Sequence, residues 1–224
     1  MKTISFVNMK GGVAKTTLAV NIADCLSRRK NKSVLLIDID PQFNATQCVM
    51  NPEDYREKLQ EGIDTIVNIF DNSPKVTAGS VSGTTVASPK ELEDIEPVEL
   101  LDNLDILPGD IQLYRLEMAP GEGREYRLKR YLDIVSDDYD YAIIDTPPTP
   151  SVWMSTALIA SDYYVVPCKP EPLSSTGIDL LRMVVKNKGD NYGLTIRCAG
   201  IVITMAERNT IAYREAINFC SAPL

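Results

Sequence analysis

Short apolar runs alternate with longer amphipathic segments along most of the chain. Most of the runs are continuous and rich in branched residues, which is typical of strands buried on both faces of a parallel sheet. The runs lie at residues 3–8, 34–37, 104–108, 141–145, 163–167 and 198–204. Helical spacing of apolar residues is found at residues 18–26, 51–70, 125–135, 152–160 and 174–188. The alternation predicts an α/β fold with a mostly parallel, twisted sheet and helices on both faces.

Residues 71–97 interrupt this alternation. They are rich in serine, glycine, threonine and proline, and they end in an acidic run at residues 91–96. Because the strand pattern resumes afterwards, we predict a loop of mixed order inside one domain rather than a domain boundary. A chain of 224 residues fits a single domain of ordinary size, spanning residues 1–224.

Composition narrows the chemistry that the chain can perform. The chain contains no histidine, which excludes histidine-based triads and histidine-ligated zinc sites. Its five cysteines are scattered and odd in number, as in a reduced cytoplasmic protein. The formal net charge of −8 means that any contact with DNA requires a local basic patch. No apolar run approaches about 20 residues, so we expect a cytoplasmic protein without a membrane span or signal peptide.

A glycine-rich turn with two lysines follows the first predicted strand and opens the first predicted helix. Its sequence is Lys-Gly-Gly-Val-Ala-Lys-Thr-Thr at residues 10–17. A strand, small residues and a helix N-terminus together form a cradle for phosphate groups. Lys15 is placed to reach the β- and γ-phosphates, and the Thr16 hydroxyl is placed to bind Mg²⁺. The predicted nucleotide-binding residues are Gly11, Gly12, Val13, Ala14, Lys15, Thr16 and Thr17.

Acidic residues end two of the predicted buried strands. Asp38 and Asp40 follow the second strand, and Asp145 ends the strand at residues 141–145. The carboxyl ends of parallel strands are where such sheets bind ligands, so these side chains are expected beside the phosphate loop. Alternation along the chain directs Asp38 and Asp40 the same way. An aspartate in the position of Asp145 typically holds Mg²⁺ directly or through water.

Three motifs together resemble the ParA/MinD superfamily of deviant Walker A ATPases. The first is Lys-Gly-Gly-x-x-Lys-Thr, the second is Asp-x-Asp-Pro-Gln at residues 38–42, and the third is Asp-Thr-Pro-Pro at residues 145–148. The resemblance implies that Lys10 reaches the nucleotide of a second subunit and that Asp40 orients the attacking water. It further implies that Asp38 belongs to the Mg²⁺ surroundings, and that Thr204 and Met205 lie near the nucleotide base.

Two residues and the length of the chain depart from the superfamily pattern. Ala14 and Phe43 stand where the superfamily usually has glycine. We expect Ala14 to be tolerated because a methyl group costs little at negative φ. The resemblance extends to about residue 214, and ParA-like chains normally continue with another strand and helix.

The motifs are closest to those of ParA-type partition ATPases. That resemblance implies a slow, partner-stimulated ATPase that uses ATP and Mg²⁺, forms a homodimer in the ATP state, and segregates plasmid or chromosomal DNA with a ParB-like centromere-binding protein. It also implies non-specific DNA binding, with the nucleoid as the location of the ATP state. The candidate basic patch is Arg182, Lys186, Arg208 and Arg214.

Other classes of protein fit less of the sequence. A MinD-like or other cargo-positioning ATPase, acting on a membrane or protein surface, stays open as the alternative, although no basic amphipathic C-terminal helix is present. A nitrogenase iron-protein-like reductase would need cluster-binding cysteines, and a bacterial tyrosine kinase would need a tyrosine-rich tail. A scaffold with a degenerate site is disfavoured because Lys15, Thr16, Asp40 and Asp145 are all present.

Overall fold

The computed structural model describes residues 1–71, 75–77, 85–87, 90–118, 121, 123–171, 174–207 and 209–220. The strands are β1 (Lys2–Phe6), β2 (Val34–Asp38), β3 (Lys75–Thr77), β4 (Thr85–Ala87), β5 (Val98–Leu101), β6 (Leu104–Leu107), β7 (Tyr141–Asp145), β8 (Tyr163–Cys168) and β9 (Arg197–Ile203). The helices are α1 (Lys15–Lys30), α2 (Asn44–Val49), α3 (Pro52–Glu61), α4 (Ile66–Phe70), α5 (Leu113–Met118), α6 (Arg127–Ile134), α7 (Val152–Ala160), α8 (Ser174–Tyr192) and α9 (Ile211–Cys220).

Seven strands form one sheet in the order β5-β6-β2-β7-β1-β8-β9. All neighbouring strands are parallel except β5 and β6, which form an antiparallel edge. Helices cover both faces, so the predicted fold class is confirmed. This order brings the carboxyl ends of β1, β2 and β7 together, where the predicted phosphate loop and acidic residues lie.

Side chains of β2 show how the core is divided between the two faces of the sheet. Leu35 and Ile37 pack into a cluster with Trp153 of α7, whereas Val34 and Leu36 pack with Ala19 of α1. These four side chains are fully buried because successive residues of a strand point to opposite faces of the sheet, and helices cover both faces. This explains the continuous apolar run in the sequence.

The predicted helix at residues 51–70 is two helices, α3 and α4. Gly62 ends α3 in the left-handed conformation with φ 89°, and Thr65 begins α4 through a reciprocal capping box with Asn68. No residue of α3 is fully buried: Leu59 is 38% exposed, and Tyr55 packs only at the margin of a core cluster. The helical spacing of apolar residues continues from α3 into α4, so the sequence pattern did not indicate the interruption between them.

The predicted loop at residues 71–97 contains short regular elements in its described part. β3 and β4 pair antiparallel in a separate two-stranded sheet, and a 3₁₀ turn follows at Leu92–Asp94. The remaining residues between 72 and 89 lie outside the described residues. The prediction of one domain over residues 1–224 stays a prediction.

Candidate nucleotide-binding site

The turn at residues 10–14 joins β1 to α1 at the carboxyl edge of the sheet. Gly12 has a positive φ of 69°, and a Cβ atom built on Gly11 or Gly12 would meet no atom within 4 Å. The space in front of these backbone amides is therefore open. α1 begins at Lys15, so its N-terminus and partial positive charge face the same space. The geometry is that of a phosphate cradle.

Lys15 is 7% exposed, and its ammonium group donates a hydrogen bond to the carbonyl of Lys10 at 3.2 Å. Burial lowers the pKa of Lys15, and the nearby charges of Asp145 and Asp40 offset part of this effect. The structure thus holds a desolvated cation beside the cradle, with two carboxylates near enough to favour its charged form. A phosphate group would supply the missing direct partner.

The backbone at Ala14 differs from our expectation. Ala14 has a φ of 66° and a ψ of 33°, which is the left-handed conformation, so the expected negative φ was wrong. A residue with a Cβ atom pays roughly 1–2 kcal/mol in this conformation. The position requires positive φ because the chain reverses there before its carbonyl accepts the Leu18 amide at 3.0 Å.

Replacement of Ala14 by glycine is therefore expected to stabilise the folded protein by about 1 kcal/mol, since the relieved strain exceeds the entropy that glycine adds to the unfolded chain. Thermal unfolding should show a midpoint higher by roughly 2–4 °C. Ala19→Gly in the interior of α1 is the matched control and should lower the midpoint. An equal loss of stability in both variants would show that Ala14 is unstrained.

Asp38 ends β2 and is fully buried. Its Oδ2 atom accepts hydrogen bonds from the backbone amide and the hydroxyl of Thr46, each at 2.8 Å. The Thr46 hydroxyl also accepts the Gly109 amide at 2.8 Å. Burial raises the pKa of Asp38 to about 7, although the two bonds from Thr46 oppose the rise. Asp38 thus ties the ends of β2 and β6 together, and sequence reasoning missed Thr46 and Gly109 as its partners.

Gly109 is needed at this point because the chain passes unusually close to it. A Cβ atom at Gly109 would lie 2.6 Å from Cβ of Phe43 and 2.9 Å from Cγ of Asp38. Phe43 itself has a φ of 41°, which explains why glycine suits that position in the superfamily. In the sequence, the Pro-Gly pair after the strand indicates a turn at Gly109, but it does not indicate which distant residues contact that turn.

Asp145 lies directly beside Asp38, as its register partner on β7. It is fully buried, and among the described residues neither carboxylate oxygen has a hydrogen-bond partner of ordinary geometry. Burial raises its pKa to about 8, and the charge of Asp38 adds to the rise, whereas the nearby Thr16 hydroxyl opposes it. A buried carboxylate with unpartnered oxygens favours occupation by a proton or a cation.

The residues at the cradle fit Mg²⁺. Asp145 supplies carboxylate oxygens without a protein partner, and Thr16 supplies a hydroxyl at the first turn of α1. Mg²⁺ commonly takes one or two protein ligands and completes its shell with phosphate oxygens and water. The described residues include no cluster of three or more potential ligands that would hold a metal by itself. That arrangement suits a cation brought in with a nucleotide.

Asp40 lies just beyond the end of β2 and is 5% exposed. Its carboxylate accepts the Gln42 amide at 2.9 Å, which fixes its orientation. Burial raises its pKa, and the Gln42 amide and the Lys15 charge oppose the rise. Asp40 lines a cavity of about 680 Å³ that extends from the phosphate loop. The cavity is lined by Gly11, Gly12, Asp40, Pro41, Gln42, Asn44, Tyr114, Glu117, Pro147, Pro148, Thr149, Pro150, Ser151 and Trp153.

Lys10 stands at the exposed edge of the loop. Its backbone amide donates to the Asn8 side chain at 2.9 Å, and the Asn8 amide donates to the carbonyl of Pro167 at 2.6 Å. The side chain of Lys10 is 47% exposed and pairs with Glu171 of its own chain. Thr17 is exposed one residue beyond Thr16. Sequence reasoning identified neither Asn8 nor Glu171.

Thr204 and Met205 lie at the carboxyl end of β9. The Thr204 hydroxyl donates a hydrogen bond to the carbonyl of Val13 at 3.1 Å, so Thr204 contacts the phosphate loop itself. Met205 is 53% exposed and has a positive φ of 49°. Contact of either residue with a nucleotide base stays a prediction.

Three residues of the predicted basic patch lie on neighbouring helices. Arg182 and Lys186 belong to α8, and Arg214 belongs to α9, which packs against it. Arg182 forms an ion pair with Asp179 at 3.4 Å, and Lys186 and Arg214 are exposed. Arg208 lies outside the described residues. Binding of DNA by these residues stays a prediction.

The fold and the site define a class. A phosphate cradle between the first strand and first helix of a mostly parallel sheet, with a buried lysine and strand-end aspartates around it, is the site of a P-loop nucleoside triphosphate-binding protein. Comparison with known proteins makes this specific: a family model described as an AAA domain matches residues 1–196. The chain belongs to the ParA/MinD superfamily of deviant Walker ATPases, as its motifs predicted.

Individual relatives agree with this assignment. The chain is 34% identical over 211 residues to the sporulation initiation inhibitor protein Soj of Bacillus subtilis, which covers 93% of this chain and 74% of Soj. A plasmid partition protein from Borrelia burgdorferi bound to AMPPNP superposes with a TM-score of 0.78 and 26% identity, covering 100% of this chain and 81% of that chain. These likenesses support a ParA-like role and nucleotide hydrolysis in general.

A second solved structure carries the metal as well as the nucleotide. Cobyrinic acid a,c-diamide synthase from Mycobacterium smegmatis, with bound ADP and magnesium, has a TM-score of 0.74 and 25% identity, covering 97% of this chain and 80% of that chain. Nucleotide and magnesium binding therefore occur within this group of structures. In the part of our chain that the structure describes, no helix is long and apolar enough to cross a membrane.

Proposed function

We propose that this protein is a Mg²⁺-ATP-dependent switch that hydrolyses ATP slowly, dimerises in the ATP state and acts in the partition of plasmid or chromosomal DNA. The observation that carries the proposal is the convergence of three buried ionisable side chains, Lys15, Asp40 and Asp145, around one open phosphate cradle. Such desolvated groups with shifted pKa values mark functional sites. The Soj and Borrelia partition proteins support the choice of biological process.

Each residue of the cradle has a distinct task in this proposal. The backbone amides of the loop and the Lys15 ammonium group hold the β- and γ-phosphates. Thr16 and Asp145 hold Mg²⁺, which would neutralise charge on the phosphate oxygens. Asp40, oriented by the Gln42 amide, positions the attacking water. Asp38 accepts hydrogen bonds from Thr46, whose hydroxyl accepts the Gly109 amide, and this chain of bonds keeps the end of β2 in place.

Hydrolysis in the proposed mechanism depends on a second copy of the chain. Lys10 lies at the rim of the loop, half exposed, on a backbone that Asn8 fixes to the end of β8. Its long side chain extends toward the phosphates of the partner molecule when two nucleotide faces meet. Hydrolysis then removes the γ-phosphate that holds the two faces together, and the dimer separates.

The ATP state is proposed to bind non-specific DNA in the cytoplasm, on the nucleoid, with a ParB-like centromere-binding protein as the partner that stimulates hydrolysis. The cations of α8 and α9 supply the charge: Lys186 and Arg214 are exposed, and Arg182 is half-buried and paired with Asp179. Dimerisation doubles the number of phosphate contacts, and affinity for DNA rises steeply with that number. This links the nucleotide state to DNA binding without a change in the basic helices themselves.

ATP-dependent dimerisation is measured by the mass of the protein in solution with AMPPNP, with ADP and without nucleotide. We expect a dimer with AMPPNP and a monomer in the other two conditions. Lys10→Met should leave AMPPNP binding intact, because Lys10 does not form the cradle of its own chain, and should weaken the dimer at least about tenfold. Lys30→Met, at the exposed end of α1, is the matched control. A monomer with bound AMPPNP in the unaltered protein would refute the dimer.

A further inference from the structure

The side chain of Lys10 is held in its own chain by a carboxylate that the motifs did not indicate. Its ammonium group pairs with Oε2 of Glu171, which lies three residues beyond the end of β8. The other oxygen of Glu171 accepts the ammonium group of Lys169 at 2.9 Å. The Glu171 carboxylate therefore forms ion pairs with two lysines, one in the phosphate loop and one just after β8.

The backbone on either side of this contact is held by hydrogen bonds, whereas the two paired side chains are partly exposed. Asn8, 6% exposed, joins the Lys10 amide to the Pro167 carbonyl, so the loop and the β8 end are fixed to each other. The Lys10 side chain is 47% exposed and the Glu171 side chain 34% exposed. Rotation about the lysine side-chain bonds is sufficient to release it, and the pair is exposed enough to open readily.

We propose that Glu171 is a positioning residue that holds Lys10 within its own chain until a second molecule's nucleotide takes the lysine over. This inference rests on the proposed dimerisation through Lys10. Glu171 competes with the phosphates bound to the partner molecule for the Lys10 ammonium group. A higher concentration of protein or nucleotide is therefore needed to form the dimer. The contact thereby opposes dimerisation between molecules that carry no triphosphate.

Lys169 sets how strongly Glu171 holds Lys10. When Lys10 leaves, Lys169 remains on the carboxylate and neutralises it, so departure of Lys10 does not leave an unpaired negative charge. The two lysines also repel each other while both are bound. Removal of Lys169 should therefore tighten the hold on Lys10, whereas removal of the Glu171 charge should release it. The two substitutions have opposite expected effects.

Dimerisation with AMPPNP provides the first test. An exposed ion pair contributes up to about 1 kcal/mol, a factor of about five in an equilibrium constant. Because a symmetric dimer opens two such pairs, we expect Glu171→Gln to lower the dimer dissociation constant by up to about 25-fold and Lys169→Gln to raise it by up to about fourfold. Because these substitutions also change the local charge, the decisive comparison is Lys10→Met against Lys10→Met/Glu171→Gln. Equal dimerisation of these two variants is expected.

The reactivity of Lys10 provides a second test that does not depend on the dimer. Acylation of individual lysines by an amine-reactive ester, followed by mass spectrometry on the protein without nucleotide, measures how available each ammonium group is. Lys10 should react faster in Glu171→Gln and more slowly in Lys169→Gln, while Lys30 reacts equally in all variants. If the unaltered protein stays monomeric with AMPPNP but this pattern holds, the contact exists and the proposed function fails.

Two results would overturn the inference itself. One is an unchanged rate of Lys10 acylation in Glu171→Gln, which would show that Glu171 does not hold the lysine. The other is an effect of Glu171→Gln on dimerisation that persists when Lys10 is methionine, since Glu171 would then act through the general field at the site. Binding of AMPPNP to the monomer, measured separately, should be the same within about twofold in the unaltered protein and Glu171→Gln.

Discussion

Replacement of Lys15 by methionine is expected to abolish the stabilisation of this protein by ATP and ADP. Lys15 is buried beside the open cradle and has no acidic side chain in direct contact among its described hydrogen bonds and ion pairs, so in the proposed site the phosphates would be its principal charged partner. Loss of one member of a desolvated charge pair costs about 3–5 kcal/mol, which weakens nucleotide binding roughly a hundredfold to a few thousandfold.

Thermal unfolding with and without nucleotide measures this effect, because a ligand that binds only the folded state raises the midpoint. The Lys15→Met variant should unfold without nucleotide at a midpoint equal to or above that of the unaltered protein, since methionine fills similar volume without a buried charge. Lys30→Met should retain the full nucleotide response. Retention of that response by Lys15→Met would show that the nucleotide binds elsewhere.

Replacement of Asp40 by asparagine is expected to slow ATP hydrolysis by roughly a hundredfold or more while ATP binding persists. Asparagine keeps an oxygen that can accept the Gln42 amide, so the turn after β2 should stay in place. What is lost is the negative charge that would position and polarise the attacking water. Removal of this charge beside the phosphates should leave affinity for ATP equal or higher.

Single-turnover hydrolysis of ATP separates the chemical step from binding and release of product. Asp24→Asn is a matched control, because Asp24 lies on α1 and forms a partly exposed ion pair there with Arg28. That control should hydrolyse ATP at the rate of the unaltered protein. If Asp40→Asn lost nucleotide binding and hydrolysis to the same extent, Asp40 would be a structural residue rather than the one that positions water.

The positions of the residues that are close together in sequence could be predicted, whereas their roles at the site stay predictions. The phosphate loop between β1 and α1, and the aspartates that end β2 and β7, are local features with a distinct residue pattern. The buried strands were also evident, because a sheet covered on both faces selects continuous apolar runs. For these features, position along the chain determines position in the fold.

The site residues that could not be predicted from the sequence are those placed by contacts between distant segments of the chain. Thr46 and Gly109 meet at Asp38 only because β2 and β6 are neighbours in the sheet, and Glu171 meets Lys10 across 161 residues. The left-handed conformation of Ala14 was also missed, because alanine normally indicates negative φ. At Ala14, the backbone geometry of the phosphate loop overrides the preference of alanine for negative φ.

Binding to non-specific duplex DNA in each nucleotide state tests the central claim, that ATP controls the action of this protein on DNA. The Asp40→Asn variant holds the ATP state during the measurement, and the salt concentration is varied. We predict binding with ATP, little binding with ADP or without nucleotide, and a steep loss of affinity with salt. Lys186→Gln/Arg214→Gln should weaken binding and reduce the salt dependence without affecting dimerisation. Equal affinity for DNA in all three nucleotide states, or no binding by an ATP dimer, would contradict the account.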